Sequence, residues 1–227
     1  MKAIVINGSP DMERGKTGRL LNSFLEGYKN KGGEYELYKS ECMNIKPCRE
    51  CTSDDNFESP GRCLQLDDME EVYDKMREAD AWVFATPNYY NGMSGSLKIF
   101  LDRMEPLFIS DLADNLQSEA KGSVLLITDC SFWDIEMFDP IVDHFEAVAN
   151  LYNKNYAGAL LRPHSFAMDT LDNMNVKYED VFQAAHDAGE AFATTGNVPD
   201  GLKRKFSRIL LPRDSSFKDI VDFFDED

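Results

Sequence analysis

The sequence predicts an α/β fold in which five short parallel strands form one sheet with helices on both faces. Five largely apolar runs are each followed by a stretch with the spacing of an amphipathic helix. Clusters of turn residues follow the first, third and fourth of these runs. Since βαβ crossovers are right-handed, we expect a doubly wound sheet with the strand order 2-1-3-4-5.

The strands are predicted where β-branched and aromatic residues concentrate, as in strands buried on both faces. These runs are Ala3–Ile6, Tyr35–Tyr38, Ala81–Ala85, Ser123–Ile127 and Tyr156–Leu161. The helices carry apolar residues three and four positions apart, and most of their starts have a capping signal. The predicted helices begin near Thr17, Asp67, Ser94, Asp139 and Tyr178.

A single domain is expected for a chain of 227 residues. We assign residues 1–198 to this domain and residues 199–227 to an acidic C-terminal extension. A long irregular segment at about residues 39–66 interrupts the alternation, and connections of this length are usually functional or disordered. It holds four of the five cysteines, namely Cys42, Cys48, Cys51 and Cys63.

The charge balance limits the partners that the chain can bind. A formal net charge of −17 argues against binding nucleic acid through its phosphates. No apolar run approaches the length of a membrane span, and the N-terminus leads directly into a strand, so we expect a cytoplasmic protein without a signal peptide. In that compartment the cysteines are expected as thiols or ligands instead of disulfides.

The loop after the first strand has the features of a phosphate-binding loop. It leads into a helix, whose N-terminus presents backbone N–H groups and the positive end of the helix dipole. Gly15-Lys16-Thr17 matches the end of a nucleoside-triphosphate P-loop, but that motif requires a glycine where this chain has Pro10. A singly phosphorylated ligand fits better, and a turn that binds nothing is the alternative.

Five motifs in chain order carry a resemblance to a known family. They are Ile6–Pro10, Gly15–Thr17, Pro87–Tyr89, Leu97-Lys98 with Asp102-Arg103, and Ala157–Pro163. Together they resemble the NADPH-dependent FMN reductase family within the flavodoxin-like fold. The segments Ile45–Cys51 and Gly61–Met69 make the chain similar to the branch that contains iron–sulfur flavoproteins and NAD(P)H:quinone-type oxidoreductases.

The resemblance implies an FMN site built from three loops. The phosphate would be held by Ser9, Arg14, Gly15, Lys16 and Thr17. The isoalloxazine ring and the ribityl chain would run along Pro87, Asn88, Tyr89, Tyr90, Asn91 and Gly92. The other side of the ring would meet Thr128, Asp129 and Cys130. Flavin rings need flat aromatic or apolar contacts, although ordinary packing is the alternative role for the two tyrosines.

Three positions depart from the family pattern. Asp11 stands where an arginine is usual after Ser-Pro, so Arg14 or backbone amides would supply the attraction for phosphate. The segment Asp129–Ser131 lacks the glycine that the family usually has near Cys130. Asp54 occupies the position expected for a third cluster cysteine after Cys48 and Cys51.

The cysteines are therefore predicted to be unligated thiols, and we expect no metal. A [4Fe–4S] cluster takes four thiolates. Cys63 comes eleven residues after Cys51, and Cys42 could be the fourth ligand only if the loop folded back. Such a cluster, or a structural zinc on Cys48, Cys51 and Cys63, is the alternative.

The resemblance also implies an activity. FMN would take a hydride from NAD(P)H and pass electrons to a quinone, a flavin, a nitro or azo compound, or a redox protein. No catalytic residue is assigned, because the flavin carries the chemistry. A homodimer or homotetramer is expected, with the Gly95–Phe108 helix and the cysteine segment near the partner. A flavodoxin-like electron carrier and a non-enzymatic interaction module are the competing interpretations.

Overall fold

Five parallel strands form one sheet in the computed structural model of the chain, which describes residues 1–51, 63–108, 120–211 and 213. The strands are β1 (Lys2–Asn7), β2 (Glu34–Lys39), β3 (Ala81–Pro87), β4 (Ser123–Asp129) and β5 (Asn155–Arg162). Their order is β2-β1-β3-β4-β5, and every pair is parallel. The predicted doubly wound, flavodoxin-like sheet is therefore confirmed.

Seven α-helices lie among the described residues. They are α1 (Lys16–Asn30), α2 (Met69–Glu78), α3 (Gly95–Asp102), α4 (Asp139–Leu151), α5 (Phe166–Asn173), α6 (Glu179–Thr195) and α7 (Asp200–Phe206). Short 3₁₀ turns occupy Ser40–Cys42 and Ile135–Phe138. Ser94 caps α3 as predicted, accepting a hydrogen bond from the Leu97 N–H. Asp139 is already helical, and the cap position belongs to Phe138. The predicted Gly95–Phe108 helix is interrupted, because α3 ends at Asp102, a turn follows at residues 103–104, and residues 105–108 are helical again.

The sheet separates two hydrophobic cores. On one face, Val5, Val83 and Leu125 pack with side chains of α1, α5 and α6. On the other face, Ile4 and Phe84 pack with side chains of α2, α3 and α4. Both faces of β1, β3 and β4 are thus buried, which explains why these strands read as continuous apolar runs in the sequence.

The first part of the predicted C-terminal extension lies against the domain. Phe206 and Leu211 are buried in the core beneath α1 and α6. The buried guanidinium of Arg162 donates to the carbonyl oxygens of Phe206, at 2.7 Å, and of Arg208. Residues 212 and 214–227, which complete that extension, lie outside the described residues.

Two glycines allow α1 and α6 to cross closely. A Cβ atom on Gly27 would lie 1.9 Å from the carbonyl oxygen of His186. A Cβ atom on Gly189 would lie 1.9 Å from the carbonyl oxygen of Phe24. Because both clashes are with backbone, no side-chain movement relieves them, and the helix crossing depends on glycine at both positions.

We expect Gly189→Ala to destabilise the protein, because the added methyl group must push α1 and α6 apart. Overpacking of this kind costs about 1–3 kcal/mol or more in the free energy of unfolding. Gly201→Ala in α7 is the matched control, since a Cβ there meets nothing within 4 Å. That change should leave stability equal or raise it by up to about 1 kcal/mol. Urea unfolding of the two variants measures both effects, and equal midpoints would contradict the close crossing.

Candidate functional site

Three loops meet at the carboxyl edge of the sheet. The register places Asn7 of β1 beside Ala85 of β3, and Pro87 of β3 beside Asp129 of β4. The chain reverses its winding direction between β1 and β3, where open α/β sheets form a ligand crevice. The loops that follow β1, β3 and β4 therefore lie together at this edge of the sheet.

A groove of about 350 Å³ opens between the loops after β3 and β4. It is lined by Pro87, Asn88, Tyr89, Tyr90, Asp129, Cys130, Ser131 and Phe132. Three of these side chains are aromatic and exposed: Tyr89 by 52%, Tyr90 by 107% and Phe132 by 61%. Exposed aromatic rings beside a groove suit a flat ligand. Ser131 and Phe132 were not among the residues predicted to line the site. Their position directly after a buried strand could have indicated them.

The tip of the loop after β3 is a tight two-residue turn. Tyr89 and Gly92 exchange two backbone hydrogen bonds, at 2.8 and 3.0 Å. Tyr90 and Asn91 between them have φ angles of 50° and 61°, as in a type I′ turn. Asparagine tolerates this region, whereas a bulky aromatic residue is rarely found there. The turn holds the fully exposed Tyr90 in a strained backbone conformation at the mouth of the groove.

Two buried polar atoms at the site have no partner within the described part of the chain. Asn88 Nδ2 donates to the Met137 carbonyl at 2.8 Å, but Asn88 Oδ1 is left without a donor. The hydroxyl of Thr128 is also buried and unpaired. Since buried polar groups are almost always hydrogen-bonded, these two atoms are candidates for contact with a ligand, with water or with the part of the chain outside the described residues.

The loop after β1 uses much of its own hydrogen-bonding capacity. The N–H groups of Arg14 and Gly15 donate to the carbonyl of Asp11, at 3.0 and 3.4 Å. The donors left for an anion are the first amides of α1, which have no intrahelical acceptor. The buried hydroxyl of Ser9 faces this end of the helix, because it lies 3.1 Å from the place where a Gly15 Cβ would stand.

The lysines nearest to this loop are already paired with carboxylates. Lys16 Nζ lies 2.6 Å from Asp169, and Lys39 Nζ lies 2.6 Å from Glu13. Arg14 is exposed at the surface of the loop. Positive charge at the helix N-terminus is thus reduced, and an anion there would depend strongly on the helix dipole and on hydrogen bonds.

Asp129 connects the loop after β4 to α1. Its carboxylate accepts a hydrogen bond from the hydroxyl of Thr17. Burial raises the pKa of Asp129, although hydrogen bonds from Thr17 and Ser165 and the charges of Lys16 and Arg162 act against this shift. Asp129 therefore lines the groove and also reaches the phosphate-type end of the site.

Cys130 is a buried thiol beside the groove. Its N–H donates to the Arg162 carbonyl at 3.0 Å, and its sulfur accepts the Phe132 N–H at 3.4 Å. Burial raises the pKa of Cys130, opposed by that Phe132 hydrogen bond. The thiol is therefore neutral near pH 7, and it shapes the groove instead of serving as a nucleophile.

An aromatic stack fixes the loops after β4 and β5 against each other. The rings of Trp133 and His164 are parallel within 18°, with centroids 3.3 Å apart. The backbone N–H of His164 also donates to the Phe132 carbonyl at 2.6 Å. Burial and the charge of Arg162 lower the pKa of His164 to about 4, so its ring is neutral near pH 7. This histidine supports the groove wall that carries Phe132.

Arg103 organises the described flanks of the cysteine segment. It forms a two-point ion pair with Asp67, at 2.7 and 3.0 Å, and both side chains are only 1% exposed. The same guanidinium donates to the Lys46 carbonyl at 2.8 Å and to Cys63 Sγ at 3.3 Å. The spacing of Asp67 and Glu70 predicts a capping box, but this is wrong, because the cap position of α2 belongs to Asp68. Asp67 accepts the Met69 N–H at 3.2 Å and pairs with this distant arginine.

The structure describes only part of the cysteine segment. Residues 52–62, including Asp54, lie outside the described residues. Among the residues that are described, no three or more His, Cys, Asp or Glu side chains form a group that could hold a metal ion. Cys42 instead lies with its sulfur 3.3 Å from Met12 Sδ.

Comparisons with known proteins agree with this geometry. A family model described as NADPH-dependent FMN reductase matches residues 1–128. An iron-sulfur flavoprotein from Methanocaldococcus jannaschii is 36% identical over 109 residues, which are 48% of this chain and 54% of that protein. An iron-sulfur flavoprotein from Archaeoglobus fulgidus is 35% identical over 106 residues, which are 47% and 46% of the two chains. The chain thus spans about half the length of these curated relatives.

A solved structure shares the fold at low sequence identity. The NAD(P)H:quinone oxidoreductase from Methanothermobacter marburgensis aligns with a TM-score of 0.62 and 16% identity, covering 84% of this chain and 95% of that one. At this identity the likeness supports the fold alone. None of the described helices combines the length and the apolar character needed to span a membrane.

We expect Asp67→Asn to lower the free energy of unfolding by about 3–5 kcal/mol, because it leaves the buried Arg103 cation without its anion. Burial alone would raise the pKa of Asp67, but hydrogen bonds from Arg103, Lys46 and Met69 outweigh it and lower that pKa below 3.8. The stabilisation is therefore present above pH 3.8 and is lost as the pH falls through the folded-state pKa.

The control for this prediction is Asp102→Asn, which breaks an exposed helical pair with Lys98. Pairs of that kind contribute about 0.3–0.5 kcal/mol. Urea unfolding at neutral pH and again at acidic pH separates the two cases. A loss for Asp67→Asn as small as that of the control would show that the buried pair does not hold this segment.

Proposed function

Because the chain belongs to the NADPH-dependent FMN reductase family, we propose that it is a flavin oxidoreductase that binds FMN across the loops after β1, β3 and β4. The observation that carries the proposal is that two different features meet at the carboxyl edge of the sheet, where Asp129 lines the groove and also accepts a hydrogen bond from Thr17 of α1. One feature is the groove with exposed aromatic rings around it. The other is the set of free amides at a helix N-terminus beside a buried serine hydroxyl.

The residues present fit a flavin mononucleotide. In this proposal Ser9 and the first amides of α1 hold the phosphate, assisted by Arg14, Lys16 and Thr17. The ring lies in the groove against Tyr89, Tyr90 and Phe132. The unpaired atoms Asn88 Oδ1 and Thr128 Oγ1 are the candidates for polar contacts with the ligand. Each of these groups lies in or next to one of the three loops at the carboxyl edge of the sheet.

When bound, FMN supplies two-electron chemistry, taking a hydride from NAD(P)H and returning electrons to a second substrate. The chain's own residues bind and orient it. Cys130 and His164, with pKa values shifted by burial, stay neutral near pH 7 and offer no acid or base at the groove. A quinone, a free flavin, a nitro or azo compound, or a redox protein is the proposed acceptor. A homodimer that covers the exposed aromatic rings is the proposed assembly.

The curated relatives are iron-sulfur flavoproteins, so an iron–sulfur cluster has to be considered for this chain. We propose a flavin but no cluster. Four thiolates are the usual ligands of such a cluster. Cys48 and Cys51 have the right spacing, but Asp54 follows in place of a third thiol. A carboxylate is a poor substitute for a soft thiolate ligand. Cys63 already accepts a hydrogen bond from Arg103.

We expect the purified protein to show the two visible absorption bands of oxidised flavin and to lose them when NADPH or NADH is added without oxygen. Retention of FMN should also raise the thermal midpoint, because a ligand that binds only the folded state stabilises it. A flavin that neither nucleotide reduces would favour the electron-carrier function. A broad brown absorption with stoichiometric iron and sulfide would show a cluster. A colourless protein that ignores added FMN would contradict the proposal.

Substitutions at the two ends of the site should separate ring binding from phosphate binding. Tyr89→Ala should weaken FMN and riboflavin alike by up to about tenfold, because both carry the ring. Ser9→Ala should weaken FMN by roughly tenfold or more and leave riboflavin unchanged, since a hydrogen bond to a charged group is worth about 1.5–3 kcal/mol. Quenching of flavin fluorescence measures all four affinities.

Leu151→Ala is the control, because this exposed residue ends α4 far from the carboxyl edge of the sheet. It should change neither affinity. If Ser9→Ala and Tyr89→Ala lowered the two affinities in the same ratio, the phosphate would not lie at the loop after β1.

A further inference from the structure

Of the two hydroxyl groups at the N-terminus of α1, those of Ser9 and Thr17, the second is already used inside the protein. Thr17 is the second residue of α1, so its side chain lies at the helix N-terminus. Its hydroxyl donates to Asp129 at the end of β4. A hydroxyl has one proton to donate, and an ionised carboxylate can only accept. With Asp129 ionised, Thr17 therefore presents only lone pairs to an anion at α1.

The charges around Asp129 leave it without a direct cationic partner. Lys16 from α1 and Arg162 from β5 act on it at longer range, and Cys130 is its neighbour. Lys16 Nζ is paired with Asp169 at 2.6 Å. Arg162 donates to the carbonyls of Phe206 and Pro163. Neither cation forms a salt bridge with Asp129 in the described part of the chain.

A phosphate dianion at the N-terminus of α1 would meet two unfavourable features if Asp129 were ionised. One is the repulsion of a buried carboxylate one hydroxyl group away, in an environment where charges are poorly screened. The other is the outward-facing lone pairs of Thr17. A single proton on Asp129 removes both, because the protonated carboxyl donates to Thr17 Oγ1 and the Thr17 hydroxyl becomes free to donate outward.

We propose that Asp129 is a specificity-determining residue of the FMN site: it takes up one proton from solvent when the phosphate binds, and thereby turns the Thr17 hydroxyl from the carboxylate to the phosphate. The inference rests on the proposed function and concerns how the same site recognises a phosphorylated flavin. Burial, which raises the pKa of Asp129, makes this proton available at a smaller cost in free energy.

The consequence is a pH dependence that only the phosphorylated ligand has. Above about pH 7 the phosphate of FMN is a dianion, so its own ionisation no longer changes. His164, with a pKa of about 4, does not titrate there either. Between the pKa values of Asp129 in the free and the bound protein, FMN affinity should fall about tenfold for each unit rise in pH. Riboflavin affinity should stay constant.

The decisive variant is Asp129→Asn, which has the shape of the protonated side chain and can donate to Thr17 at every pH. We expect it to bind FMN at least about tenfold more tightly than the unchanged protein near pH 8, without a pH slope. Because Asp129 also lines the groove, riboflavin affinity can change as well, and the proposal requires the ratio of FMN to riboflavin affinity to rise by that factor. The probes are FMN and riboflavin, titrated into flavin-free full-length protein from about pH 7 to about pH 9.

The matched control is Asp169→Asn. It also removes one carboxylate near α1, but this one is half exposed and pairs with Lys16 instead of Thr17. A general charge effect would tighten FMN binding in both variants. The proposal requires the change in pH slope to appear only at position 129. In a Thr17→Val background, the gain from Asp129→Asn should shrink to the part that comes from the lost repulsion, since no hydroxyl remains to turn.

A second measurement needs no variant. Calorimetric titration of FMN in two buffers with different ionisation heats counts the protons taken up, which should be close to one per FMN and zero for riboflavin. Zero uptake for FMN, or an Asp129→Asn protein with unchanged FMN affinity and slope, would overturn the inference while leaving flavin binding intact. If neither flavin bound at any pH, the proposed function would fail together with it.

Discussion

The parallel pairing of β1 with β3 is the interaction on which the rest of the site depends. It joins two strands that are separated by more than seventy residues and reverses the direction in which the chain winds. Because all five strands are parallel, their carboxyl ends lie along one edge, and the loops after β1, β3 and β4 are brought together there. Both hydrophobic cores stabilise this pairing, since side chains of β1 and β3 are buried on each face of the sheet.

The proposed anionic cofactor would bind to a strongly acidic chain. The net charge is −17, and the lysines beside the loop after β1 are paired with Asp169 and Glu13. In the proposal, binding of the phosphate would therefore depend mainly on groups that carry no full charge, namely helix amides, hydroxyls and a carboxyl that can be protonated. These groups would distinguish phosphorylated from unphosphorylated flavin, although Asp129 also lines the groove.

The sequence was sufficient for the features that repeat along the chain and insufficient for those that join distant residues. Apolar periodicity predicted all five strands and five of the helices, whereas α5 and α7 are short and have no long stripe. The role of Asp67 was read locally as a cap, yet its main partner is Arg103, thirty-six residues away. The hydrogen bond between Thr17 and Asp129 joins residues that are 112 positions apart, and no local sequence pattern predicts it.

The family match covers only part of the candidate site. The model of the family ends at residue 128, so it covers β1, β3, most of β4 and the first two loops of the site. Asp129, the Trp133–His164 stack and the Arg162 contacts follow that point and rest on this structure alone. The shared part holds a strand–loop–helix unit suited to a phosphate and an aromatic loop suited to a ring. The later part lines the same groove with a neutral thiol, an exposed phenylalanine and a buried carboxyl, so the groove is built from residues on both sides of the end of the family match.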